Sequence, residues 1–188
     1  ASGPETQRAI AKEGGIPLLA HVLVSVSSSG NAKELLAAAQ LCSLVAQAIS
    51  QLTEGNRENQ TKMADAGAIP PLVSMLGSPN SSMQANAAGA LSALCASHAD
   101  NQASVARTGA IAPLCSLVRE GAPEVQEQSA WALWSLSEAN PANKATVAKL
   151  GGIEPLVNLL AGAHNDNALK NTQGALISLA NKHADNRD

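Results

Sequence analysis

The chain has 188 residues, a net charge of −3, 45% hydrophobic residues and two tryptophans, with neither tyrosine nor phenylalanine. Its core must therefore be Leu, Ala, Val and Ile, which suits closely stacked helices better than a sheet rich in aromatic side chains. The mild acidity disfavours nucleic acid, whose readers present a basic face, and no apolar run reaches the ~18 to 20 residues of a membrane span.

One stretch recurs four times, as EGGIPLLAHVL (13–23), AGAIPPLVSML (66–76), TGAIAPLCSLV (108–118) and LGGIEPLVNLL (150–160). Its first glycines, Gly14, Gly67, Gly109 and Gly151, lie 53, 42 and 42 residues apart. Self-similarity at such a period marks a helical solenoid. The chain divides into repeats at about 4–55, with an insertion near 25–41, then 56–97, 98–139 and 140–182, and 183–188 starts a further repeat.

In the first repeat, Gly14 to Ile49 spans 35 residues, against 24 from Gly67 to Leu91. The extra 11 predict a flexible Ser/Gly loop at 25–31 and a third helix lengthened at its N-terminal end. The second repeat sets the pattern. Asn56 is placed to cap a short helix, with Asn59 reaching back in the manner of a capping box. Gly67 ends that helix in the left-handed conformation glycine adopts cheaply. A second short helix carries Pro70 and Pro71 in its first turn, where a missing N–H costs nothing. A third and longer helix runs over about 82–97, with Ala87, Ala90, Leu91 and Leu94 at helical spacing.

The third and fourth repeats follow suit, with Pro123 opening one long helix and Asn140–Pro141 opening the last repeat. The chain stops on HADNRD (183–188), a near copy of HADNQA (98–103). A fragment of a longer array is the expectation, with apolar end faces and end-to-end self-association through them.

These residues resemble the armadillo family. The glycine-opened motif is preceded by a short helix bearing Asn59, Asn101 or Asn143 and followed by A-[LI]-x-x-L at Ala48, Ala90, Ala132 and Ala175. The resemblance covers essentially the whole chain. It implies an all-α, right-handed solenoid with three helices per repeat, whose third helices line a concave groove. In that family the groove binds extended or partly helical segments of other proteins.

Importin-alpha, within the family, marks its groove with Trp and Asn four residues apart. Trp131 stands at the Trp position, but the Asn position is Ser135, and the equivalent pairs are Gln47 with Gln51, Gly89 with Ala93, and Gly174 with Ser178. A nuclear-transport-receptor-like peptide binder is thus the alternative, beside the substrate-recognition region of a larger ubiquitin ligase. The groove lysines and arginines of beta-catenin are missing. The closest resemblance is to scaffolds made mainly of armadillo repeats. The implied groove comprises Gln47, Gln51, Ala85, Gly89, Ala93, Glu127, Trp131, Ser135, Glu138, Gly174 and Ser178. Its small residues leave a shallow floor beside Trp131, with room for a partner helix or an extended strand. Glu120, Glu124, Glu127 and Glu138 favour a ligand with a basic patch, whereas Lys144 and most other basic residues fall in first-helix segments, away from the groove.

Trp131 and Trp134 each either face the groove or pack across onto the next repeat, and packing is favoured for Trp134. No catalytic, metal or cofactor constellation emerges. His21, His98, His164 and His183 stand alone and read as exposed loop residues, with His98 and His183 at the N-cap position that Asn56 and Asn140 hold. Cys42, Cys95 and Cys115 lack metal spacing and read as small buried hydrophobes, consistent with an intracellular setting, cytoplasm or nucleus.

Overall fold

The computed structural model of the protein describes residues 3–27 and 32–181. Among these, the chain forms twelve α-helices and no strand, in four consecutive triads. They are α1 (Pro4–Lys12), α2 (Gly15–Ser27) and α3 (Ala32–Thr53); α4 (Arg57–Asp65), α5 (Ile69–Met75) and α6 (Ser81–Cys95); α7 (Ala99–Arg107), α8 (Ile111–Glu120) and α9 (Pro123–Ser137); and α10 (Pro141–Lys149), α11 (Ile153–Ala161) and α12 (Asp166–Ala180).

Local chemistry sets the boundaries. Asn56, Asn80, Asn140 and Asn165 each accept a backbone N–H from three residues ahead, satisfying one of the orphan donors of a helix start. Gly67, with φ of +83°, ends α4. Its N–H bonds to Ala64 O at 3.0 Å and that of Ala68 to Met63 O at 3.3 Å, with Ala68 and Met63 both buried. This double bond with its apolar contact is a Schellman motif, and Gly109 and Gly151 repeat it.

Packing follows the triads. Each third helix lies against the next, α3 on α6, α6 on α9 and α9 on α12, and these are the most extensive interfaces in the molecule. Helix α6, in the middle, buries ten of its fifteen residues and is apolar on nearly every side, as a helix enclosed by neighbours must be. The core is aliphatic, with Leu72, Leu91, Leu94, Leu133 and Leu136 inaccessible to solvent. At the ends of the array Leu18 on α2 is 62% exposed and Val157 on α11 is 49% exposed.

The first repeat differs from expectation. Residues 25–27 belong to α2 rather than to a loop, and α3 has 22 residues against 15 in each other third helix. The insertion thus extends two helices, while 28–31 lie outside the described residues.

Candidate protein-binding surface

The third helices place the predicted groove residues unequally. Gln47, Gln51 and Glu138 are exposed, and Glu127, Trp131, Gly174 and Ser178 are half-buried. Ala85, Gly89, Ala93 and Ser135 are buried. The shallow floor expected of these small residues is therefore filled. Side chains from adjacent third helices lie across it. The Gln128 amide oxygen covers Gly89, so close that a Cβ there would meet it at 2.9 Å. Ser135 pairs with Ser92 through their hydroxyls at 2.8 Å, and Asn86 donates to Ser43 Oγ at 2.6 Å.

The two tryptophans part company. Trp134 packs against the core, and its indole covers Gly174 of the following repeat so tightly that a Cβ there would overlap three ring carbons. The favoured packing of Trp134 is what the structure has. Trp131, one helical turn before Ser135, stays half-buried. Glu127 and Trp131 are neighbours at i, i+4 on α9. Asn165 Nδ2, from the residue that caps α12, donates to Glu127 Oε2 at 2.9 Å.

A second set of polar residues, unread as such in the sequence, holds the C-terminal ends of the third helices. Their last carbonyls have no partner within the helix. Asn59 Nδ2 donates to Leu52 O, Asn101 Nδ2 to Leu94 O and Asn143 Nδ2 to Leu136 O, each at 2.8 Å. Each asparagine thus closes the third helix of the preceding repeat. The capping-box role expected for Asn59 is corrected here, because its side chain turns to Leu52 instead of back to Asn56. The residue after each asparagine closes the third helix of its own repeat. Gln60 Nε2 donates to Ala93 O (2.7 Å) and Ala96 O (3.3 Å), and Gln102 Nε2 to Ser135 O (2.8 Å) and Glu138 O (3.1 Å). Gln7 does the same in the first repeat, with Gln51 O at 2.8 Å and Glu54 O at 3.1 Å. The legible signal was an Asn-Gln or Asn-Lys pair recurring every 42 residues.

In the fourth repeat that place belongs to Lys144, buried, with Nζ donating to Ser178 O at 2.5 Å and Asn181 O at 2.8 Å. Lys144 lines a cleft of about 390 Å³ with Trp134, Glu138, Lys170, Gly174 and Ile177. Lys144 lies in the first helix of its repeat, α10, as expected, and its side chain reaches the C-terminal end of α12.

His98 also departs from expectation. It is buried rather than exposed, although it caps α7 as its position implies, accepting the Asn101 N–H on Nδ1 while its Nε2 sits 2.9 Å from Thr61 Oγ1. His21 is exposed but on α2 rather than in a loop, His164 is exposed in a loop, and His183 lies outside the described residues. The three cysteines are free and buried. Burial pushes the Cys115 thiol up to about 11, against a small opposing pull from Arg119, and raises that of Cys95 too. Among the described residues no three His, Cys, Asp or Glu side chains gather to hold a metal ion, and no helix is long and apolar enough to cross a membrane.

A family model described as the armadillo/beta-catenin-like repeat matches residues 56–96 and 98–138. The structure is similar to a designed armadillo repeat protein, with a TM-score of 0.83 and 23% identity over 98% of this chain and 73% of that one. A designed armadillo repeat protein in complex with a (KR)4 peptide gives 0.81 and 21% over 99% and 73%. Computationally designed armadillo repeat proteins for modular peptide recognition give 0.81 and 22% over the same shares, 99% and 73%. No curated protein matches the sequence. Residues 56–138 thus match armadillo repeats, and the described triads share the armadillo solenoid fold along nearly the whole chain.

Proposed function

We propose that the protein is an interaction scaffold that binds segments of other proteins along a concave surface lined by α3, α6, α9 and α12. The observation that carries this reading is the stripe on α9. There a half-buried tryptophan, Trp131, stands one turn from Glu127 and two turns from Glu138. A large aromatic left partly in solvent is a natural anchor for a partner side chain. The carboxylates beside it favour Lys or Arg in that partner. The (KR)4 peptide held by one similar designed protein supports the same class of ligand. Exposed Gln47 and Gln51 extend the surface with amides able to pair with a peptide backbone. The exposed apolar ends, Leu18 and Val157, would also let copies stack end to end, which sedimentation at rising concentration tests.

The test uses the protein's own fluorescence, since Trp131 and Trp134 are its only aromatic side chains of the Trp, Tyr and Phe set. Titration with (KR)4 should change the emission and weaken with salt. Trp131→Ala, read by calorimetry, should lower affinity by roughly thirtyfold, the effect of losing an anchor of about 2 kcal/mol. A peptide held equally well by Trp131→Ala and Glu127→Lys would sink this reading.

A further inference from the structure

Lys144 is 94% withdrawn from solvent in its relative area, a buried ammonium whose hydrogen-bond partners are the two carbonyls of Ser178 and Asn181. Three other repeats perform the same closure with a neutral amide, Gln7, Gln60 or Gln102, at comparable distances. A charge is therefore not required for closing the helix. Carbonyl dipoles at a helix end favour a cation, but a buried charge stays costly until an anion meets it. The ammonium has three donors, two of them spent on carbonyls.

Its surroundings are those of a receptor for an anion on an apolar stem. The cleft beside Lys144 has an indole wall (Trp134), a second cation (Lys170) and an isoleucine, Ile177, that is 67% exposed. Glu138 is the carboxylate on its rim. Resting on the scaffold reading above, we infer that the cleft between the third and fourth repeats takes a carboxylate of the partner segment through Lys144. The bound segment then carries a basic stretch for α9 and an acidic group one repeat further on. This fixes its register and direction along the array.

Lys144→Gln is the discriminating variant, because it installs the amide the other repeats use and keeps both carbonyl closures. Three amidated or free peptides serve as probes: (KR)4-Gly-Gly-Asp amide, its Asn counterpart, and (KR)4-Gly-Gly-Ala with a free carboxyl end. Wild-type protein should bind the Asp peptide about tenfold more tightly than the Asn peptide, as for a hydrogen bond to a charged group. Lys144→Gln, with unchanged thermal stability, should bind the two alike. Preference for the free-carboxyl peptide would identify a chain terminus as the natural anion. Equal binding of all three to the wild type, or an acid preference surviving in Lys144→Gln, overturns the inference while leaving the scaffold reading intact. Absence of any binding overturns both.

Discussion

The indole of Trp134 on α9 covers Gly174 on α12, leaving no room for a methyl group between the third and fourth repeats. Gly174→Ala should therefore destabilise the protein by about 1–3 kcal/mol, as overpacking of a tight contact does. At the scale of this chain each kcal/mol moves Tm by about 2–4 °C. In a Trp134→Ala background the same change should become neutral or slightly stabilising, since alanine favours helix over glycine by up to about 1 kcal/mol. Gly89→Ala is the control. It meets only the mobile end of Gln128, so its cost should be small. Thermal melts of the four proteins check the cycle.

Asn101 donates to Leu94 O and, at 3.3 Å, to Gln60 O. Asn101→Ala strands buried carbonyls and should cost about 1–3 kcal/mol. Asn101→Asp should cost more at neutral pH, because it sets an acceptor against two acceptors. Urea midpoints at constant slope would show both effects.

The residue before each first-helix cap in repeats two to four is left-handed: Gly55 at φ +65°, Ser97 at +53° and Ala139 at +52°. Only the first is glycine. Ser97→Gly and Ala139→Gly should each raise stability by roughly 1 kcal/mol, the cost of a Cβ in that region. Gly55→Ala, where nothing crowds the site, should lower it by a similar amount.

Burial raises Cys115 from an ordinary 9.0 to about 11. Its folded state thus holds the proton more tightly, so stability is fully present below pH about 9 and falls as pH rises towards 11. At pH 8 the native thiol should react with a disulfide reagent roughly a hundredfold more slowly than in the unfolded chain, two units of pKa being a hundredfold in thiolate. Stopped-flow thiol titration with and without denaturant measures this.

The fold was open to reading because its signals are local and repeated. Gly67, Gly109 and Gly151 end helices, Pro70, Pro123 and Pro141 start them, and each acts within a turn of its own position. What lay hidden is contact between residues some forty positions apart. Gly89 looked like open floor because nothing near it in sequence announces Gln128, whereas packing of Trp134 onto the next repeat, where it covers Gly174, was the favoured reading. The capping position of His98 was legible because it is local, but its burial was not, since the hydroxyl that helps to enclose it belongs to Thr61. Asn59 satisfied a local pattern and so concealed its bond to Leu52. Its recurrence as Asn101 and Asn143, each three residues after a cap, fits a capping box equally well, so only the contacts across repeats separate the two roles.

Gln102 touches both sides of a repeat boundary. Its amide nitrogen closes α9, its side-chain oxygen accepts from Asn140 Nδ2 at 3.2 Å, and its backbone carbonyl from Asn143 Nδ2 at 3.4 Å. A rotation between repeats that opened the surface of the third helices would have to stretch these bonds together. The spacing of that surface behaves like the graduations of a ruler, set before any ligand arrives. In the scaffold reading proposed above, a ligand would conform to it, and the protein would surrender little motional freedom on binding.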